Sequence, residues 1–210
     1  MASLFNHQAE IQNVPLHAQV ITISKRYKQW DDLYNTNPIV REVFDRLSSH
    51  GYPFGIRRRE IFSTINVEKR IIKALIWAYP KGKRGNGLSR AIDNLTCIAN
   101  ILRVYMGKNI PQEEYINLCK VLRKIDGVSF SVLGILLYYF KISCNGLASI
   151  PITGHVRNAY QQFVELQGYR NSLYHIQMEH LNSLAKQLYV TTEQLEFYLF
   201  TISQNKIQVN

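Results

Sequence analysis

The chain has 210 residues, 46% of them hydrophobic, with 25 Lys and Arg against 15 Asp and Glu and a formal net charge of +10. That length suffices for one substantial core, in a single domain or a domain with a small appendage, while the lack of any apolar run near the roughly 20 residues that cross a bilayer excludes a membrane-spanning protein. The positive charge favours polyanionic partners, nucleic acid first and an anionic membrane surface second.

Residues 1–37 are polar and weakly patterned apart from Val20–Ile23, and are expected as an N-terminal arm or an early helix on the surface. The opening MASLFNHQAEIQN has neither the basic stretch nor the apolar core of a secretory signal, so a cytoplasmic protein is expected. Residues 38–210 read as one helical domain. Asn37-Pro38 is a helix entry, because the proline ring suits a first turn, and Ile39, Val43, Phe44 and Leu47 follow at helical spacing. Residues 50–55, HGYPFG, read as a loop, followed by Arg57, Arg58 and Arg59. Asn66 is placed to cap a helix that runs to Tyr79 through Ile71, Ile72, Leu75 and Ile76, and Pro80 ends it. The loop 80–87, PKGKRGNG, holds three glycines and three basic residues. It is either a solvated connector or a cationic loop whose backbone can come close to phosphate. One amphipathic helix is expected from Leu88 to Met106. Pro111 opens another, with Ile116, Leu118, Val121, Leu122 and Ile125 facing inward.

The stretch from Cys119 to Tyr160 reads as helix, tight hairpin, helix, loop, helix. Asp126-Gly127 supplies the turn, since Gly adopts positive φ without penalty. Ser129 is placed to cap the apolar helix SVLGILLYYF. Such a hairpin offers backbone N–H groups beside a helix N-terminus, an arrangement suited to phosphate; the plainer reading is a buried helical pair. Residues 143–152 have no strong period. Thr153 or Gly154 starts a helix carrying Val156, Tyr160, Phe163, Val164 and Leu166. Asn171-Ser172 is expected to cap the next, from Leu173 to Tyr189, and Thr191 with Gln194 has capping-box spacing for a last helix ending near Ser203. Many helices and few strand signals make the fold class all-α.

This central segment resembles the DNA-binding core of the helix-hairpin-helix DNA glycosylases. Their hairpin typically reads Leu-Pro-Gly-Val-Gly, here Ile125-Asp126-Gly127-Val128-Ser129. Their Pro-Val-Asp-Thr-His-Val stretch is here Pro151-Ile152-Thr153-Gly154-His155-Val156, followed by Arg157. A closer resemblance is to a bacterial branch with the fold of 8-oxoguanine DNA glycosylases, which tends to carry Tyr-Pro-x-Gly-x-Arg-Gly-Asn. That element is found as Tyr79-Pro80-Lys81-Gly82-Lys83-Arg84-Gly85-Asn86, and the branch's Leu-Leu-Tyr helix and Asn-Gly loop match Leu136-Leu137-Tyr138 and Asn145-Gly146. The resemblance spans residues 60–165 and implies a glycosylase-like helical domain with its hairpin near residues 122–140. Two of the departures from the pattern fall on the usual catalytic positions. Ile135 stands where the branch usually has the lysine that forms a Schiff base with the sugar. Thr153 stands where the superfamily has its essential aspartate. Neither side chain can do those jobs.

The resemblance implies a DNA glycosylase that everts a nucleotide and excises a damaged or modified base, including a modified base of phage DNA in a defence role. Lacking the lysine, it would be monofunctional and leave an abasic site. The alternative is a catalytically inactive glycosylase fold that senses modified or damaged DNA; a helical interaction protein with incidental basicity ranks below both. The expected DNA contacts are Lys81, Lys83, Arg84 and Asn86 of the basic loop, Gly127, Val128, Ser129 and Ser131 of the hairpin, and Arg157. Thr153, His155 and Asp126 are the catalytic candidates, with Asp93 a weaker stand-in. Each has an ordinary structural reading too, Asp126 as a turn cap and His155 as a satisfied structural histidine. Trp77, Tyr79, Tyr138 and Tyr139 flank the matched elements; the first three are the candidates to stack an everted base, with core packing the default for Trp77.

No phosphate-binding Walker loop, dinucleotide fingerprint, HExxH or paired-cysteine motif is present, so no cofactor and no metal are expected. Cys97, Cys119 and Cys144 are too dispersed for a disulfide framework or an iron–sulfur cluster and are expected as reduced, buried thiols. His175 and Glu179 sit one helical turn apart, a pairing that a surface helix also produces by chance.

Overall fold

Helix α9, Phe130–Tyr139, is apolar on every side, and a helix without a polar face belongs at the centre of a domain. In the computed structural model, which describes residues 4–14, 20–163 and 173–205, every residue from Val132 to Phe140 is buried. The described residues form twelve α-helices and five short strands, mostly helical at 66%. Helices α5 (Val67–Ala78) and α8 (Gln112–Lys124) pack against α9, and α5 in turn carries α3 (Pro38–Leu47) and α7 (Leu95–Tyr105). On the other side α10 (Gly154–Phe163) packs on α12 (Thr192–Asn205), which also meets α11 (Tyr174–Gln187). No described helix is long and apolar enough to cross a membrane.

The helix starts follow the local chemistry. Asn37 Oδ1 accepts from the N–H groups of Ile39 and Val40, both at 3.0 Å, and Asn66 Oδ1 accepts from Lys69 N–H at 2.9 Å. At α12 the box closes both ways. Gln194 N–H donates to Thr191 Oγ1 at 3.1 Å, and Thr191 N–H donates to Gln194 Oε1 at 2.9 Å.

Several elements differ from the sequence reading. The N-terminal stretch, expected as an arm on the surface, supplies core side chains. Ile11 of α1 (Gln8–Gln12) and Trp30 of α2 (Lys28–Thr36) are fully buried, and Ile23 nearly so. Strand β1 (Val20–Ile23) is antiparallel to β2 (Phe54–Arg57), with Val20 opposite Arg57 and Ile23 opposite Phe54. A strand of four residues shows its nature only through its partner, so the loop reading of 50–55 missed it. Residues 143–152 likewise contain β4 (Ser143–Cys144) and β5 (Leu147–Ala148), turned by Asn145 and Gly146 at φ +49° and +82°. Strand β4 pairs in parallel with β3 (Asn109–Ile110).

The helix expected from Leu88 to Met106 is two helices, α6 (Gly87–Asp93) and α7, broken at Asn94. The Asn94 side-chain amide donates to Arg90 O at 2.9 Å and to Asp126 O at 3.2 Å, so the break is tied to the hairpin. In α8 the inward stripe is Tyr115, Leu118, Cys119 and Leu122, while Val121 is 48% exposed because it lies off that stripe. Val164, Leu166 and the Asn171-Ser172 cap lie outside the described residues.

Arg58 begins the short helix α4 (Arg58–Phe62) and is buried with Glu196 of α12, its Nη2 2.5 Å from Glu196 Oε2. Its Nη1 donates to the Tyr138 hydroxyl at 3.0 Å, and that hydroxyl donates to Glu193 Oε1 at 2.6 Å. Removing one member of a buried pair strands the other charge, at a cost of about 3–5 kcal/mol. Glu196→Ala is therefore expected to lower the unfolding free energy in urea by about that amount. The double variant Arg58→Met with Glu196→Leu should recover most of the loss.

Candidate nucleic-acid interface

The bend between α8 and α9 is built on Gly127, at φ +90°. A Cβ there would lie 2.2 Å from Ala91 N and 2.7 Å from Ala91 Cα, so the hairpin rests directly on the backbone of α6. Val128 N–H is bonded to Ile125 O and Ser129 N–H to Gly127 O, so two of the hairpin's donors are already used. Ser129 caps α9, its Oγ accepting from Val132 N–H at 3.4 Å, and the first intrahelical bond runs from Leu133 N–H to Ser129 O. The N–H groups of Phe130 and Ser131 therefore stand in the unpaired first turn of a ten-residue helix.

The basic loop meets this hairpin. Lys83 Nζ donates to Ser129 Oγ at 2.6 Å and lies 5.3 Å from the centre of the Tyr79 ring. Burial, with Arg123 nearby, lowers the pKa of its ammonium. Arg123, at the end of α8, donates to Val128 O at 2.7 Å. The Tyr79 hydroxyl is buried beside those of Ser129 and Ser131, and burial pushes its pKa up to about 12. The Arg157 guanidinium lies 4.6 Å from the centre of the Phe130 ring. Lys83, Ser129, Ser131, Tyr79 and Arg157, drawn from both matched segments and from the helix after them, thus converge on one end of α9. Val128 contributes only backbone, its side chain being 3% exposed. Lys81, Arg84 and Asn86 are exposed and line a shallow recess with Tyr27, Lys28 and Asp32.

Helix α2 braces the loop. Gln29 Oε1 accepts from Lys83 N–H at 2.7 Å, and its amide donates to Gly85 O at 2.9 Å. Gly82, at φ +86°, lies so close to Gln29 that an added Cβ would be 2.8 Å from Gln29 Oε1. Trp30 Nε1 holds the loop's start by donating to Tyr79 O at 2.7 Å.

The three catalytic candidates are not brought together. Thr153 is buried, and its Oγ1 accepts from Val156 N–H at 3.4 Å, making it the cap of α10. His155 is exposed, 3.0 Å from Ser203 Oγ and edge-on to Phe200, so it packs against α12. Asp126 is exposed and ion-paired with Arg90 at 3.3 Å. Asp93 is exposed at the end of α6. Ile135 lies wholly in the core.

Of the aromatic candidates, Trp77 is buried at 3% exposure, edge-on to Tyr139 and 4.8 Å from the Arg58 guanidinium. Tyr138 belongs to the Arg58 network and lines a 740 Å3 cavity at the far end of α9, with Phe62, Ile150 and Val190. An α-helix rises about 1.5 Å per residue, which puts that cavity about 15 Å from the hairpin. A smaller cavity of 420 Å3 adjoins the hairpin itself, walled by Phe130, Leu133 and Tyr174 and bordered by Lys120, Arg123 and Arg157. Phe130 and Tyr174 meet edge-to-face at 5.6 Å. Cys119 also lines it, its thiol pushed up to about 12 by burial and therefore protonated at neutral pH. Among the described residues no group of three or more His, Cys, Asp or Glu is arranged to hold a metal.

Arg123, Phe130 and Tyr174 escaped the sequence reading. The signal for Arg123 was its place in the last turn before the hairpin; Phe130 and Tyr174 looked like any aromatic on an apolar stripe.

No protein-family model matches the chain, and neither a curated protein nor a solved structure does.

Gln29→Ala removes two hydrogen bonds to the basic loop at unchanged net charge, each worth about 0.5–1.5 kcal/mol. Local opening of residues 80–87 is expected to rise on the order of tenfold. Limited trypsin digestion should then cut faster after Lys81, Lys83 and Arg84, with the global unfolding transition little changed.

Proposed function

We propose that this protein binds duplex DNA at the hairpin and the cationic loop, everts a nucleotide, and excises a modified base without nicking the strand. The observation that carries the reading is the contact of Lys83 with Ser129, which places the basic loop, the α9 N-terminus and Arg123 on one face. Anionic oxygens are favoured beside such a helix N-terminus. Lys81, Lys83 and Arg84 add the sequence-independent grip on phosphates. The adjoining cavity offers the everted base aromatic walls, and cations at its border would stabilise a base that departs with the electron pair of the broken N-glycosidic bond. No lysine occupies the α9 position expected of an amine nucleophile, so water is the group that replaces the base.

A second reading, a sensor that binds and everts without cutting, is favoured by one specific observation. Among the described residues no carboxylate lines the cavity, and Thr153 is engaged as a helix cap, so none of them offsets the positive charge that develops on the sugar.

Two measurements test the pair. Lys83→Ala with Arg84→Ala, in a folded protein, should weaken duplex binding and reduce the slope of log affinity against log salt by about 2. An unchanged affinity and slope would remove both readings. Incubation with normal, oxidised and base-modified duplexes, followed by alkali, should break the strand at an abasic site on at least one substrate. Salt-sensitive binding with no alkali-labile site on any of them selects the sensor.

A further inference from the structure

The larger cavity, at the C-terminal end of α9, plays no part in the DNA reading. Its walls come from the end of α9 and the segment after it, from the second half of α11, and from the turn into α12. Its volume of 740 Å3 falls within the range of about 300–1,000 Å3 usual for small-ligand sites. Ile142, Ile150, Ala185 and Val190 make its aliphatic surface, with the rings of Phe62 and Tyr138 beside them. The uncharged polar side chains in the wall are engaged within the protein. Ser149 donates to Ile142 O, and Ser143 to Asn109 Oδ1 at 3.1 Å. The Asn182 amide donates to Ala148 O at 3.1 Å, while its oxygen accepts from the Thr192 hydroxyl at 2.9 Å. Glu193 is the only carboxylate among the described residues that line the space, and its Oε1 accepts from the Tyr138 hydroxyl at 2.6 Å.

Two lysines remain. Lys141 and Lys186 are exposed at the border of the cavity, and neither has an acidic partner among the described residues. Lys141 Nζ lies 5.2 Å from the centre of the Phe62 ring, so this ammonium stands over an apolar wall. Its backbone is left-handed, at φ +51°, in the position after a helix where glycine is the usual residue. A lysine there costs steric strain, and such strain concentrates where a side chain serves a ligand. A hydrocarbon body would displace water from the aliphatic surface, and an anionic head would meet both ammonium groups. A cationic head would be repelled by both. We propose that this cavity is a second ligand site that takes a small amphipathic carboxylate, with its alkyl body against Ile142, Ile150 and Val190 and its head paired with Lys141 and Lys186. The inference is independent of the DNA reading.

The test is calorimetric titration of the whole chain with decanoate and with decylammonium, which share a chain length and carry opposite charges. Salt is kept at about 50 mM, where exposed charges are weakly screened. Decanoate is expected to saturate at one molecule per chain. It should bind at least about tenfold tighter than decylammonium, since each exposed ion pair is worth up to about fivefold. Octanoate, two methylenes shorter, should bind on the order of tenfold more weakly than decanoate. Lys141→Gln with Lys186→Gln changes exposed positions and leaves Glu193 as the charge at the border, so the preference should turn towards decylammonium. Ala148→Phe, at an exposed position of β5 that lines the space, should weaken decanoate by at least about tenfold by filling it. Both variants are checked for helical content by circular dichroism. No saturation by decanoate up to about 1 mM, or equal affinity for the two heads, overturns the inference. So does a stoichiometry of several equal sites per chain. Decanoate binding that is unchanged in either folded variant overturns the assignment to this cavity.

Discussion

The seat of the hairpin on helix α6, where the backbone of Gly127 meets that of Ala91, sets the geometry of the whole candidate face. No side chain fits between them. Because α6 is reached from α5 through residues 79–86, seating the hairpin on α6 also brings the basic loop alongside it. The contact of Lys83 with Ser129 follows from that seating. So does the break at Asn94, whose amide reaches back to the carbonyl of Asp126. Loop, hairpin and helix break are thus one coupled unit, and α2 supports it from behind through Gln29 and Trp30.

The burial of α9 leaves the helix with two ends of different character. A helix with no polar face has to be surrounded, and its only access to solvent is through its ends. At the N-terminal end the first-turn N–H groups meet a cluster of basic residues. At the C-terminal end lies the larger and mostly apolar cavity that Tyr138 lines. Of the acidic groups considered for catalysis, Asp126 is ion-paired with Arg90 and Asp93 is exposed at the end of α6. A face that collects these cations is suited to holding a polyanion.

Much of this was legible in the sequence wherever the cause is local. Asn66, Ser129 and Thr191 mark helix starts by the chemistry of one turn, and the structure has each of them accepting the bond expected; Asn37, read only as an entry with Pro38, caps its helix as well. The pairing of Asp126 with Gly127 gave the turn, and the charge run at 81–84 gave the loop. What was hidden depends on partners distant in sequence. Asn94 looked like a helix interior because its second acceptor is 32 residues away. The β1–β2 ribbon needs partners more than 30 positions apart, Ile23 with Phe54 and Val20 with Arg57. Trp77 and Tyr138 could not be separated from pocket aromatics, since a stacking surface and a core stripe have the same spacing. His175 was visible only as a neighbour of Glu179; that it faces a cavity is a property of the packing of α8, α9 and α11.

The ion pair between Arg58 and Glu196 joins residues 138 positions apart. A chain emerging in sequence order exposes the guanidinium long before its carboxylate exists, and a lone charge resists enclosure by the aromatic rings of Trp77 and Tyr138. Closing the aromatic pocket around Arg58 and docking α12 are thereby coupled, so that last described helix acts as the bolt of the domain.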